Sequence, residues 1–340
     1  MLLSSLFITF LLEYFLTPAQ DSFDKYLSRV ITWVRCKLDV DDKKVALLTW
    51  SVLVVGSSLA LWALWEILLI IHPILAFVFL VVFLYLNLGF KRFINIFLKI
   101  HSHLKNEQLE QARLEITEWS SSVKSNQVVT DAIQSGDARQ VAREATKLLV
   151  LSMHRNLFAP IFWLVVLPGP VGILLYRASL FVQREWSQNI EDDGNPDLND
   201  DSIRSAPEKE EKHAEEKIES SKGARFDTYA EIAGRGFFWF DWLPARFTAL
   251  VFAIVGNFED AFAQGRLQGT EIGYKSPSDS DRLILAVGEG AMMLSLTIPT
   301  AVSGTQQLNN MDDLSSRPEL LEPDVNSMKF AIGLMWRSLI

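Results

Sequence analysis

The strongest pattern in the chain is VALLTWSVLVVGSSLALWALWEILLII, residues 45–71, followed by His72-Pro73 and by ILAFVFLVVFLYLNLGF, residues 74–90. A membrane-spanning helix needs about 20 predominantly apolar residues, and the first run exceeds that length with Glu66 as its only charge. Proline breaks a helix that it interrupts, but it is favoured in the first turn of a new one. Residues 45–90 are therefore predicted to form a transmembrane helical hairpin.

Basic residues flank both open ends of this hairpin, because residues 18–44 carry six Lys and Arg, and Lys91-Arg92 follow the second run. The positive-inside tendency predicts that both ends are cytoplasmic and that His72 lies on the far side. Glu66, one turn from that side, is interpreted as reaching the interface, with a functional carboxylate as the alternative. Residues 1–17 are apolar without a basic start or an obvious cleavage site, so they predict a retained N-terminal membrane helix.

The remaining regions alternate between polar and apolar character. Residues 93–155 predict a cytoplasmic helical hairpin, with the second helix starting near Asp137. Residues 188–224 are acidic and contain no aromatic residue, which predicts a disordered insert. Residues 263–327 form a polar, loop-rich region, and residues 328–340 begin an apolar C-terminal membrane helix.

A proline–glycine–proline triplet, Pro168-Gly169-Pro170, interrupts the apolar residues 157–182. No regular helix runs smoothly through this triplet, which leaves two alternatives: one sharply kinked span, or two half-helices that return to the same face. Non-helical backbone at membrane depth persists where it is buried in protein or lines a polar cavity. The element is therefore a candidate binding site, and four polar residues bracket it: His154, Arg155, Tyr176 and Arg177.

Residues 237–262 predict a motif helix that combines small, bulky and polar positions. We expect Asp241 to cap it and Pro244 to lie in its first turn. Alanines at positions 245, 249, 253 and 261 form a stripe that lets another helix approach closely. Arg246, Asn257 and Asp260 lie beside that stripe, which indicates a site. The alternative is a surface helix whose charges solvate its ends.

The composition limits the functional classes. The chain has 340 residues, is 49% hydrophobic and carries a formal net charge of −9, which argues against a nucleic-acid partner. Most of that charge lies in residues 191–222, which hold twelve acidic and five basic side chains. Cys36 is the only cysteine, so an intrachain disulfide framework is excluded. No phosphate-binding loop, nucleophile elbow or metal-ligand motif is present in the sequence.

Several of these segments together resemble the CobD/CbiB family of cobalamin-biosynthesis membrane proteins. The resemblance covers nearly the whole chain except 188–224. Its segments are YLNLG (85–89), QARLE (111–115), HR (154–155), FAPIFW (158–163), PGPVG (168–172), YR (176–177), DWLPARFTA (241–249) and VGNFEDA (255–261).

The resemblance implies an adenosylcobinamide-phosphate synthase, an ATP-dependent carbon–nitrogen ligase that joins an aminopropanol moiety to a corrinoid carboxylate. It implies a multi-pass protein of the bacterial inner membrane with a corrinoid substrate of the cobyric acid type, ATP and Mg²⁺ as cofactors, and partner proteins of corrinoid assembly. The implied catalytic residues are Asp260 and Glu259. The implied substrate-binding residues are Arg246, Asn257, Asp241, Arg155, His154, Tyr176 and Arg177, with Arg246 holding a carboxylate or phosphate.

Two departures from the family pattern leave a second interpretation open. Residues 147–156 lack the acidic side chains that family members carry before the Ala-Pro segment, and Asp241 is the only acid before Pro244-Ala245-Arg246. In both respects the chain also resembles AmpE, a related membrane protein implicated in cell-wall stress signalling. The sequence thus predicts an all-α polytopic membrane protein, with ligase activity as the leading function and a non-catalytic AmpE-like sensor as the alternative.

Overall fold

A computed structural model describes residues 2–15, 29–31, 34, 43–123, 136–192, 209–271, 277–296 and 320–339. It confirms the predicted all-α class, since these residues contain helices and, outside them, only an isolated bridge between Leu294 and Leu321. The helices are α1 (Leu2–Phe15), α2 (Lys43–Ile71), α3 (Pro73–Leu88), α4 (Phe90–Lys105), α5 (Leu109–Val123), α6 (Ala138–Val166), α7 (Val171–Asp192), α8 (Lys209–Val255), α9 (Phe258–Glu271), α10 (Pro277–Met292) and α11 (Met328–Ser338).

Four helical segments in the described part of the chain are long and apolar enough to cross a membrane: Lys43–Ile71, Pro73–Lys105, Ala138–Val166 and Thr228–Val255. The second of them is interrupted at Gly89, whose left-handed backbone separates α3 from α4. Large apolar side chains on α2 are exposed, for example Ile70 at 83%. A soluble protein would bury such a face, so these side chains are suited to contact lipid.

The predicted transmembrane hairpin is present as α2 and α3. His72 has an extended backbone between the two helices, and its Nδ1 accepts a hydrogen bond of 3.2 Å from the Ile74 N–H. Pro73 occupies the first turn of α3, where backbone N–H groups have no acceptor within the helix, so its missing N–H costs no hydrogen bond. The His72-Pro73 pair therefore ends one helix and begins the next, as the sequence predicted.

Helix α6 differs from the prediction, which placed a boundary between residues 155 and 157. Asp137 caps it, because its side chain accepts a hydrogen bond from the Gln140 N–H, and the helix then continues to Val166. A wider π turn at His154–Phe158 lies inside it, immediately before Pro160. Proline cannot donate to the preceding turn and its ring crowds the carbonyl four residues earlier, so a wider turn accommodates it. The predicted cytoplasmic hairpin thus continues directly into the apolar segment.

The proline–glycine–proline triplet reverses the chain between α6 and α7, which favours the returning arrangement over a single kinked span. Gly169 has φ +66°, and a Cβ there would lie 2.8 Å from the Trp65 ring of α2. A Cβ on Gly172 would collide with the Trp163 carbonyl, so the two helices meet closely right after the turn. Further along, Ala159 of α6 belongs to the same buried cluster as Tyr176 of α7.

Helix α8 also differs from the prediction for residues 237–262. It starts at Lys209, so Asp241 and Pro244 lie inside it rather than at its N-terminus, and it ends at Val255. The 209–224 part of the acidic segment is helical rather than disordered, whereas 193–208 lie outside the described residues. At the break after Val255 the chain approaches α10 closely, since a Cβ on Gly256 would lie 2.5 Å from the Ala291 Cβ and the Asn257 N–H donates to the Ala291 carbonyl at 3.2 Å.

The predicted small-residue stripe is buried at Ala245, Ala249, Ala253 and Ala261, where α8 and α9 pack against α10. Close approach of helix backbones at small residues is the usual way in which membrane helices associate. Helices α6, α7, α8 and α10 therefore surround the region in which the polar residues of the candidate site lie.

Candidate functional site

The π turn of α6 presents three successive polar residues, His154, Arg155 and Asn156, to helices α7, α8 and α10. A π turn inserts one extra residue into a helix and so redirects the side chains that follow it. Such turns are frequent at functional sites. Here the turn allows consecutive side chains to reach three different helices.

A hydrogen-bond network that is almost completely buried joins α6, α7 and α8. His154 Nε2 lies 2.9 Å from Asp241 Oδ1, and the Tyr176 hydroxyl donates to the same oxygen at 2.9 Å. On the other side of the ring, His154 Nδ1 lies 2.8 Å from Thr248 Oγ1. All four residues are at most 1% exposed. An uncompensated charge at such depth would be very costly, so the network has to be internally paired.

The contacts bear on where the protons lie. With the Thr248 hydroxyl donating to the Pro244 carbonyl at 3.0 Å, its oxygen can accept from Nδ1–H of His154. Nε2 faces a carboxylate oxygen that already accepts from Tyr176, and a hydrogen bond there requires a proton on Nε2 as well. This arrangement fits a charged imidazolium–carboxylate pair with no further acceptor needed on the ring.

A second ion pair lies at the less buried edge of the network. Arg155 Nη2 donates to Asp281 Oδ2 of α10 at 2.5 Å, with side-chain exposures of 17% and 24%. Burial raises the pKa of the Asp281 carboxyl, and the nearby Asp241 charge acts in the same direction, whereas Arg155 opposes both. Arg155 therefore stabilises the charged form of Asp281, whereas burial destabilises it. A guanidinium in such a pair is suited to exchange one anion for another.

Arg177 of α7 lies near this network and ties three helices together. It donates to Asn156 Oδ1 of α6 at 3.1 Å and to the carbonyl of Asn87 on α3. Arg177 is 2% exposed. These two contacts hold helices in register, so the structure places Arg177 in the scaffold behind Arg155.

The predicted anion ligand Arg246 lies elsewhere. Its guanidinium stacks 3.7 Å above the Trp242 ring and donates to the Trp242 carbonyl at 3.0 Å. Trp242, Phe247 and Leu250 beside it are exposed apolar side chains. Because Asp241 and Thr248 occupy the buried side of α8, Arg246 projects from the outer side of this helix.

The other predicted residues lie at the junction of α8 and α9. Asn257 Nδ2 donates to Asp260 Oδ2 at 2.6 Å, while Asp260 N–H donates to Asn257 Oδ1 at 3.4 Å, a reciprocal arrangement that caps α9. Glu259 is exposed. Asp260 packs against α10 at Gly290, because a Cβ on that glycine would collide with the Asp260 carbonyl. Gly290 lies about 14 Å along α10 from Asp281 at 1.5 Å per residue, so Asp260 meets this helix well away from the Arg155–Asp281 pair.

The structure therefore separates the predicted site residues into groups. It brings His154, Arg155, Tyr176 and Asp241 together, and it adds Thr248 and Asp281, which the sequence analysis did not identify. Thr248 follows Asp241 by seven residues, a spacing that puts both on one side of a helix and that was available as a signal. Asp281 carried no comparable signal, because only the packing of α10 places it beside Arg155.

Magnesium is not accommodated by an evident ligand set in the described residues. Among them, no group of three or more His, Cys, Asp or Glu side chains is arranged to hold a metal ion. Mg²⁺ prefers several oxygen ligands in near-octahedral geometry. The carboxylates of Asp241 and Asp281 are engaged with His154 and Arg155 instead.

Comparison with known proteins finds a similar curated protein. It is described as cobalamin biosynthesis protein CobD, from Stutzerimonas stutzeri (strain A1501), and is 23% identical over 290 residues. The alignment covers 84% of this chain and 76% of the relative. No family model matches the chain, and no solved structure matches it.

Proposed function

We propose that this chain is an integral, multi-pass protein of the bacterial inner membrane that acts in cobalamin biosynthesis. The observation that carries the proposal is the similarity to a CobD protein across most of both chains. The order and spacing of the motif segments agree with it, and these segments are distributed over helices α3, α5, α6, α7, α8 and α9. Four helices of spanning length and composition support the multi-pass location.

The proposed reaction is amide formation between a corrinoid carboxylate, of the cobyric acid type, and the amine of an aminopropanol moiety. The new bond joins the carboxylate carbon to the amine nitrogen, while one carboxylate oxygen leaves and the amine loses protons. An activating co-substrate must carry that oxygen away, and ATP with Mg²⁺ is proposed from the resemblance alone. No step is assigned to either group, since the described residues present no metal-ligand cluster.

In this proposal Arg155 binds the anionic group of the substrate. It is the least buried cation of the network, and its partner Asp281 is the one carboxylate of the network outside the four candidate spans. A substrate carboxylate or phosphate would replace Asp281 on the guanidinium, which can bind both oxygens of such a group. The released Asp281 carboxylate would then lie beside the incoming amine and could accept a proton from it, helped by the raised pKa that burial gives it.

The residues behind Arg155 have a positioning role. His154, Tyr176 and Asp241 balance one another's charges and hydrogen bonds, so they fix the π turn that carries Arg155. Rigid support of this kind matters because a misplaced charged group loses much of its effect on the substrate. Asp260 and Glu259 lie outside this arrangement and cap or flank α9.

The experiment is complementation of a strain that lacks adenosylcobinamide-phosphate synthase and is supplied with cobyric acid under conditions in which growth requires cobalamin. We expect the wild-type chain to restore growth. Arg155→Lys should lower the corrinoid product at least tenfold, because lysine keeps the charge but loses the planar fork. Arg246→Lys is the matched control, since the same change is made at an arginine stacked on its own helix, and it should retain activity.

Each outcome of this experiment bears on a different part of the proposal. Failure of a well-expressed wild-type chain to complement would refute the ligase function and would leave a non-catalytic role, such as the AmpE-like one, to be tested by β-lactamase induction. Complementation with equal activity of Arg155→Lys and Arg246→Lys would preserve the function but refute the site.

A further inference from the structure

The structure contains an open groove of about 550 Å³ whose lining residues are distinct from those of the network. It lies between the first two turns of α2 and the segment of α8 that precedes Asp241. Its lining residues are Lys43, Leu47, Trp50, Glu231, Ile232, Arg235, Gly236, Trp239 and Phe240. Both walls belong to segments that are long and apolar enough to cross a membrane.

The groove is amphipathic along its length. Lys43 is the first residue of the Lys43–Ile71 span, and Glu231 and Arg235 lie in the first two turns of the Thr228–Val255 span, so charged side chains gather at one end. Trp50 and Phe240 follow deeper in both spans, with their rings stacked at 6.1 Å. A charged end followed by aromatic walls is the layout of a membrane–water interface.

The charges at this end favour an anion. Arg235 pairs with Glu231 at 2.5 Å, but both side chains are largely exposed, at 74% and 47%. Exposed pairs of this kind contribute little, so an incoming anion can replace Glu231 at small cost. Lys43 adds a second, exposed cation to the same groove. With Glu231 counted, the lining still carries one net positive charge.

A buried donor also lies in the wall. Trp50 is 8% exposed, and among the residues that the structure describes no acceptor faces its indole Nε1–H. Gly236 permits this placement, because a Cβ there would collide with the Trp50 ring. Buried indole N–H groups normally find an acceptor, and an oxygen of a molecule bound in the groove would supply one here.

From these features we infer that the groove is a binding site for an anionic phospholipid. The phosphate lies between Lys43 and Arg235, an ester oxygen of the glycerol region accepts from Trp50 Nε1, and an acyl chain follows Leu47, Trp239 and Phe240. A lipid satisfies the charged end, the buried donor and the apolar walls at once, whereas a soluble anion satisfies only the first. Anionic lipids of the inner leaflet also carry the charge that juxtamembrane Lys and Arg attract.

The test uses the full chain purified in a neutral detergent. Native mass spectrometry and thermal unfolding are measured with dioleoyl phosphatidylglycerol, with dioleoyl phosphatidylcholine and with inorganic phosphate. We expect retained phosphatidylglycerol and a higher Tm with that lipid, a smaller effect of phosphatidylcholine, and no displacement of bound lipid by millimolar phosphate.

Paired variants locate the site. Lys43→Gln with Arg235→Gln should weaken phosphatidylglycerol binding at least tenfold, and Lys43→Gln alone should show part of that loss. Lys99→Gln with Arg139→Gln removes two exposed cations elsewhere, each paired with a glutamate as Arg235 is, and should leave binding unchanged. Equal affinities of the two double variants, or displacement of the lipid by phosphate, would overturn the inference.

Discussion

Replacing Asp241 by Asn tests whether the buried network is a charged, cooperative unit. The change keeps the size of the side chain and an oxygen for the Tyr176 hydroxyl, but it removes the negative charge that faces His154 Nε2 at 2.9 Å. Both side chains of the His154–Asp241 pair are at most 2% exposed, so solvent cannot replace the lost partner. Breaking a buried pair in this way costs about 3–5 kcal/mol.

A comparison within the same network sets the scale. Tyr176→Phe removes one neutral donor from Asp241 and should cost about 1 kcal/mol. Asp241→Asn should cost about 3 kcal/mol, which corresponds to roughly two orders of magnitude in the unfolding equilibrium. If the charges are coupled, Asp241→Asn combined with His154→Gln should cost less than the sum of the single changes by about 1–3 kcal/mol.

The assay is reversible unfolding of the purified chain in mixed micelles with increasing sodium dodecyl sulfate, followed by far-ultraviolet circular dichroism. Asp260→Asn provides the matched control, because the same chemical change is made at a partly buried side chain in the first turn of α9, which accepts from Asn257 Nδ2, and it should cost about 1 kcal/mol or less. A cost of Asp241→Asn no larger than that of Tyr176→Phe or of Asp260→Asn would refute the charged pair.

Two further predictions concern the turn and the topology. Gly169→Ala should destabilise the chain by about 1–2 kcal/mol or more in the same unfolding assay, because φ is +66° and the Trp65 ring lies 2.8 Å from the new Cβ. Gly288→Ala is the control and should be tolerated, because the nearest atom to its new Cβ lies at 3.4 Å. A cysteine at exposed Glu110, in a Cys36→Ser background, should resist a membrane-impermeant thiol reagent in intact cells and react after lysis. Labelling in intact cells would contradict the predicted cytoplasmic position of α5.

Local signals in the sequence were sufficient for the helical class and for the main boundaries of the hairpin. The apolar runs on either side of His72-Pro73 are longer than the apolar segments of a soluble core. Proline restricts the backbone conformation of the residues next to it in the chain, so its effect is local. For the same reason the position of the cap at Asp137 and the buried alanine stripe of α8 could be predicted. Each of these features depends on residues within about two helical turns of one another.

Only the tertiary structure decided which polar residues form a site. His154 and Asp241 are separated by 87 positions, and Arg155 and Asp281 by 126, so no spacing rule relates them. The sequence selected Arg246 because it follows Pro244-Ala245, but packing turned the other side of α8 toward α6 and left Arg246 on Trp242. Helix direction is a local property, whereas the side of a helix that becomes buried depends on every helix that packs against it.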